Sequence, residues 1–160
     1  MGTRGSFGFR HNEQDVLAYN HFDSYPDGLG LDVLAFAVKY ANQLPKLREL
    51  VAALQVVSLD MTPTPEQVVK CAPYTNLGVS RQSTDDWYCL LRECQGDLDK
   101  TLESGFVLEC LDRGEYSYIL NLDDATFEAY DGDEKRGSWP LTALPDEKEF
   151  MAAFSSEDDE

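Results

Sequence analysis

The sequence predicts an α+β fold: a mostly antiparallel sheet, built from an N-terminal hairpin and a C-terminal meander, with helices on one face. Three observations predict it. Strand-like segments open the chain, apolar residues at helical spacing fill its middle, and aromatic and β-branched residues at strand spacing return in the last third. With 160 residues, 42% of them hydrophobic and 11% aromatic, the chain can bury a core. The expected domain covers 1–154, and 155–160 (SSEDDE) reads as an acidic tail.

TRGSFGFR and VLAYNHFD are strand-like, and the polar HNEQD between them reads as the turn of a hairpin. In one register Phe7 faces Tyr19 and Thr3 faces Asp23, so that Thr3, Gly5, Phe7, Phe9, Leu17, Tyr19, His21 and Asp23 share a face. A slip of one residue sets Arg4 opposite Asp23 instead, and the pattern permits both. SYPDGLG then stops the strand. Asp32 is the expected cap of a helix through LDVLAFAVKYANQL, and PKLRELVAALQVV follows with proline in its first turn. A short helix is expected after Thr64 as cap with Pro65 at its first position, then a loop over 74–84. Another short helix, DDWYCLLRECQGD, has Asp85 as its cap and ends at Gly96. Strands are expected near 105–111, 115–122 and 126–131, with a short edge strand over 139–144.

Charge is uneven along the chain. Residues 1–96 hold 8 Lys/Arg and 11 Asp/Glu, whereas 97–160 hold 5 and 19, giving −3 and −14 of a total of −17. Such a balance argues against direct binding to nucleic acid or anionic lipid. No apolar run approaches the roughly 20 residues of a membrane-crossing helix, and MGTRGSFGFR lacks the apolar core of a secretion signal. The cysteines at 71, 89, 94 and 110 are therefore expected as reduced, buried thiols in a cytoplasmic protein. Cys89 and Cys94 do not form CxxC, and neither His11 nor His21 lies at ligand spacing to a cysteine, so no structural metal is expected. No P-loop, GxGxxG, GxSxG or HExxH pattern occurs, and no cofactor is expected.

YNHFDSYPDGLG, 19–30, concentrates His, Asp, Asn and two Tyr around a strand end. If the strand continues, His21 and Asp23 point to one side, where a carboxylate can orient an imidazole and Thr3 lies alongside. Arg4, His21, Asp23 and Tyr25 are thus the candidate ligand-binding residues, and Thr3, His21 and Asp23 the candidates for catalysis. The plainer alternative is that these groups satisfy the turn's backbone while Asp23 and Asp27 neutralise Arg4 or Arg10. MGTRG followed by YNHFDSYPDGLG resembles a group of small uncharacterised proteins of fungi, bacteria and phages, which share an MGTRG-type start and a Y-x-H-x-D-S-Y-P-x-G-L-G segment. The later EYSYILNLDDATFEAY is similar to their acidic, aromatic strand pair. The resemblance covers about 50 residues at the two ends and implies no activity. The strand-first opening also resembles an N-terminal-nucleophile amidohydrolase, but Gly2 has no side chain to attack with and Thr3 is not terminal. Residues 1–6 fit the myristoylation pattern M-G-x-x-x-[ST], without the basic patch that would supply a second membrane signal.

One reading has Asp123 and Asp124 meeting Asp131, Asp133 and Glu134 at one edge of the meander and holding Ca²⁺ or Mg²⁺ through oxygen ligands. Their spacing is not that of an EF-hand, and solvated turns are the favoured reading. With Tyr130, and with Tyr116, Tyr118 and Trp139 nearby, they form the candidate partner-binding surface. The function expected is an acidic protein-binding module for a basic partner, more a binding protein than an enzyme. Its sharper form is an inhibitor that occupies the groove of a nucleic-acid-binding protein, such as a phage anti-CRISPR or other counter-defence protein. The alternative is a hydrolase-like or small-ligand-binding protein using Arg4, His21 and Asp23.

Overall fold

The computed structural model describes residues 4–21, 23–78, 83–109 and 114–155; Thr3, Cys110 and the acidic residues 156–160 lie outside them. Seven strands form: β1 (Gly5–His11), β2 (Gln14–Asn20), β3 (Gln55–Val57), β4 (Phe106–Leu108), β5 (Tyr116–Asn121), β6 (Thr126–Asp131) and β7 (Glu134–Pro140). Five make the main sheet, in the order β2-β1-β5-β6-β7. Hairpin and meander are joined by one parallel pairing, β1 with β5; all other neighbours in this sheet are antiparallel. The fold is therefore α+β, as the sequence predicts. The meander differs in membership: residues 106–108 leave it to pair in parallel with β3 in a separate two-stranded sheet, and the edge strand is β7.

Neither expected register of the hairpin forms. Gly5 lies opposite Asn20, Phe7 opposite Ala18 and His11 opposite Gln14. The turn sets this pairing. Only Asn12 and Glu13 loop out, both at positive φ (54° and 65°), the combination a two-residue hairpin turn requires. Asp123 holds them there by accepting the Asn12 and Glu13 backbone N–H groups on its two oxygens, each at 2.8 Å. Phe7, Phe9, Val16 and Ala18 consequently share the core face, while Tyr19 lies on the other.

The helices are α1 (Leu31–Tyr40), α2 (Leu44–Ala52), α3 (Pro65–Cys71), α4 (Trp87–Leu90), α5 (Leu98–Ser104) and α6 (Glu147–Ser155). Side chains of α1, α2, α5 and α6 pack with Phe7, Phe9, Tyr118, Leu120, Phe127 and Ala129 of the sheet in one core. Thr64 caps α3 as expected, in a reciprocal capping box with Gln67. Three helix boundaries differ from expectation. Asp32 is not a cap but stands in the first turn of α1, because a π-type turn over Pro26–Gly30 runs straight into that helix. Helix α2 stops at Ala52 because Gln55–Val57 pair with β4, where β-branched Val56 and Val57 suit an extended strand. Asp86, not Asp85, caps α4 by accepting the Tyr88 N–H at 3.0 Å. Helix α6 has no counterpart in the sequence reading, and it takes in Ser155, which reads as tail. A second, smaller core gathers Val57, Cys71, Trp87, Leu90, Cys94 and Phe106. Cys71, Cys89 and Cys94 are all buried, and burial pushes the Cys94 thiol up to about 12, which leaves it unreactive.

The glycines of the PDGLG turn have packing reasons. A Cβ on Gly28 would come within 2.6 Å of the Asp23 carbonyl oxygen, to which Leu29 N–H donates at 3.0 Å. A Cβ on Gly30 would meet Phe150 at 2.9 Å and Tyr118 at 3.0 Å, rings with little room to move. Gly30→Ala should therefore destabilise the protein by about 1–3 kcal/mol through overpacking. An unchanged midpoint in chemical unfolding would show that α6 yields freely.

Candidate functional site

Strand register brings the ends of all five main strands into a row. Asn20, Gly5, Tyr116, Asp131 and Glu134 succeed one another across one end of the sheet. The opposite end carries His11, Gln14, Asn121 and Thr126. The two acidic clusters are thus separated by the length of β6 and do not meet, contrary to expectation. Asp123 and Asp124 stand at the far end, whereas Asp131, Asp133 and Glu134 share an end with His21, Asp23 and Tyr25. A hairpin places its turn acids at whichever end its strands close, so two successive turns of a meander must face opposite ways.

At the far end the acids are engaged within the chain. Asp123 holds the hairpin turn, and those two backbone N–H donors keep its carboxyl below the usual range. Asn121 Nδ2 donates to Asp124 Oδ2 at 3.2 Å. On the same sheet face, Glu128 accepts from the Tyr130 hydroxyl at 2.7 Å, from Asn121 Nδ2 at 3.1 Å and from Arg10 Nη1 at 3.3 Å. Tyr130 is only 6% exposed and Tyr118 wholly buried, so neither is available to a partner as expected. Tyr116 and Trp139 are partly buried against the main core.

At the near end β2 stops at Asn20, and Asp23 takes a left-handed backbone conformation, φ 57°. The expected continuation of the strand is therefore broken, and with it the argument that set His21 and Asp23 side by side. The His21 imidazole instead shares a hydrogen bond through Nδ1 with the Tyr19 hydroxyl and meets the Tyr88 ring edge-on at 5.8 Å. Burial, and then the charges of Arg4 and Arg92, lower its pKa from the ordinary value and favour a neutral ring. Arg4 is exposed, and Tyr25 is half-exposed beside Tyr116. Asp23 points to different company. With Asn20, Leu29, Asp32, Arg92 and Gln95 it lines a cleft of about 330 Å³. Gln95 is fixed by the His21 backbone N–H, which donates to Oε1 at 2.9 Å.

Arg4, His21, Asp23 and Tyr25 therefore gather at one end of the sheet without forming a His–Asp pair. Asp32, Arg92 and Gln95 were not anticipated. Asp32 follows the 19–30 segment in the first turn of α1, whereas Arg92 and Gln95 come from the Arg92–Cys94 turn and its end, distant in sequence, and no motif marks them. No protein-family model, curated protein or solved structure matches the chain. Among the described residues no helix is long and apolar enough to cross a membrane.

Proposed function

We propose that the protein is an acidic protein-binding module whose partner is a basic protein. The observation that carries this reading is the near end of the sheet. Asp27, Glu115, Asp133 and Glu134 lie exposed there, and among the described residues their side chains enter no hydrogen bond or ion pair. Asp131 stands with them, 3.6 Å from Arg136. Tyr25, 49% exposed, adds an aromatic group beside the acids, the pairing of ring and charge that suits an interface. In a chain of net charge −17 this end attracts a basic surface and speeds its capture.

The sharper form of the proposal is that the partner's basic surface is a nucleic-acid groove, so that carboxylates stand where phosphates would. The protein would then act as an inhibitor in the cytoplasm. Reversing charge with Asp133→Lys and Glu134→Lys should weaken binding at least tenfold and flatten its salt dependence, since exposed charges act through a screened field. Asp133 is an exposed turn position and Glu134 the exposed first residue of β7, so the fold should persist. Capture by the doubly reversed variant at wild-type affinity would refute this surface.

A further inference from the structure

We propose that the outer edge of β3 is the contact through which two copies of this chain form a symmetric dimer. Among the described residues β3 pairs with β4 and with no other strand. Two bonds flank that pairing on its inner side. Gln55 N–H donates to the Gly105 carbonyl at 2.9 Å, and the Val57 carbonyl accepts from Glu109 N–H at 2.8 Å. Backbone groups of successive strand residues point to opposite sides, so the N–H and C=O of Val56 face outward. Such an edge is a template for a further strand.

The main sheet shows how this chain protects its other edges. Strand β2 is met on its outer side by Glu109, bridged to Ala18. Strand β7 carries Glu134, Lys135 and Arg136, a register shift opposite Ala129 and Tyr130, and Pro140 at its end. Charge, irregularity and proline each oppose pairing with another chain. Strand β3 has none of the three. It reads Gln-Val-Val, with Val56 45% exposed, and Leu59 (63%) and Met61 (46%) follow in the turn that leaves it.

Charge selects the occupant. Between Ala52 and Pro65 the single charged residue is Asp60, in a chain of net charge −17. A basic partner therefore finds almost no carboxylate to meet at this edge. A second copy, repelled wherever the acids crowd, can approach here. The edge is also complementary to itself. About a twofold axis through Val56 the two β3 strands run antiparallel. Val56 then faces its own counterpart and the pair exchange both N–H···O=C bonds, while Gln55 faces the counterpart of Val57. The strand is only three residues long, so Leu59 and Met61 must supply apolar contact. A small interface of this kind associates weakly, with Kd on the order of 10–100 µM.

Sedimentation equilibrium of the intact chain from about 1 µM to about 1 mM, at low and raised salt, tests the proposal. A reversible monomer–dimer equilibrium is expected. It should tighten about threefold or more as salt rises, because screening relieves the repulsion between two acidic chains. The same change should loosen a basic partner from the acidic end, so the two contacts differ in sign. Val56→Lys should abolish the dimer. It keeps every backbone bond and lowers the net negative charge, so its effect comes from like charges set face to face. Val56→Pro removes the outward donor and should act likewise. Asp133→Lys with Glu134→Lys should leave the dimer in place. In hydrogen exchange the Val56 amide should be roughly tenfold slower at the highest concentration than at the lowest. A chain that stays monomeric up to about 1 mM would overturn the proposal. So would a dimer that loosens with salt, that survives Val56→Lys, that is lost with the reversed acids, or in which the Val56 amide exchanges at the monomer's rate. If a variant fails to fold, exchange at Val56 in the wild type decides alone.

Discussion

Glu128→Ala should destabilise the protein by roughly 3 kcal/mol, near the lower bound for breaking a buried ion pair because Arg10 still reaches solvent. Glu128 is 4% exposed and accepts from Tyr130, Asn121 and Arg10. Truncation removes the carboxylate that the buried Tyr130 hydroxyl, the Asn121 amide and Arg10 share, while Asn121 keeps Asp124 at 3.2 Å and Arg10 keeps Asp15, 2.7 Å from its Nε. In a chain of this length the Tm should fall by about 6–12 °C. Tyr130→Phe removes one donor and should cost only about 1 kcal/mol. Burial alone would raise the Glu128 pKa, but the hydrogen bonds from Asn121 and Tyr130 and the charge of Arg10 outweigh it and hold the carboxyl below its ordinary value. The sign follows: its contribution is complete above the unfolded carboxylate range and disappears as pH falls through the folded pKa. The wild type should therefore lose stability on acidification more steeply than Glu128→Ala. Parallel pH profiles, or an unchanged midpoint, would show that the network carries no stability.

Phe150→Ala is expected to cost about 3–5 kcal/mol, a large share of the roughly 5–15 kcal/mol that holds a domain together. The Phe150 ring is fully buried and stacks on Phe127 at 5.8 Å, with Trp139 at 5.7 Å and Phe154 at 5.5 Å. It also closes over Gly30. One side chain thus ties α6 to the meander and to the turn that shapes the cleft, so removing it should loosen both. Phe150→Leu fills part of the gap and should cost about half as much. Urea denaturation of the two variants gives the comparison, and a Phe150→Ala midpoint equal to wild type would mean that α6 does not depend on this contact.

The α+β class was legible because periodicity records which face of an element is buried. Thr64 and Pro65 announced α3 because a cap and a first-turn proline act locally. The hairpin register was not legible, since the carboxylate that fixes its turn, Asp123, lies 110 residues further along. Helix α5, the run DLDKTLES, escaped notice because its buried residues include Thr101 and Ser104, whose hydroxyls donate to backbone carbonyls and satisfy themselves inside. Tyr130 reads as an exposed partner-binding residue, yet it lies with Glu128 on a second sheet face that is buried too, as Ser6, Ser117 and Ile119 show. At the candidate site the sequence singled out the segment 19–30, of which Asn20, Asp23, Gly28 and Leu29 line the cleft. It could not supply Asp32, Arg92 and Gln95, which only the folding of α1 and the Arg92–Cys94 turn against the end of β2 brings near.

The acidic near end of the sheet as a docking surface for a basic protein is the central claim. Its most direct test is affinity capture from lysate of the source cell or its host on immobilised wild type and on the Asp133→Lys/Glu134→Lys variant, at low and raised salt. One basic, nucleic-acid-binding protein should be retained by the wild type at low salt, released as salt rises, and absent from the variant. Retention that ignores both salt and charge reversal, or no specific retention at all, would contradict it.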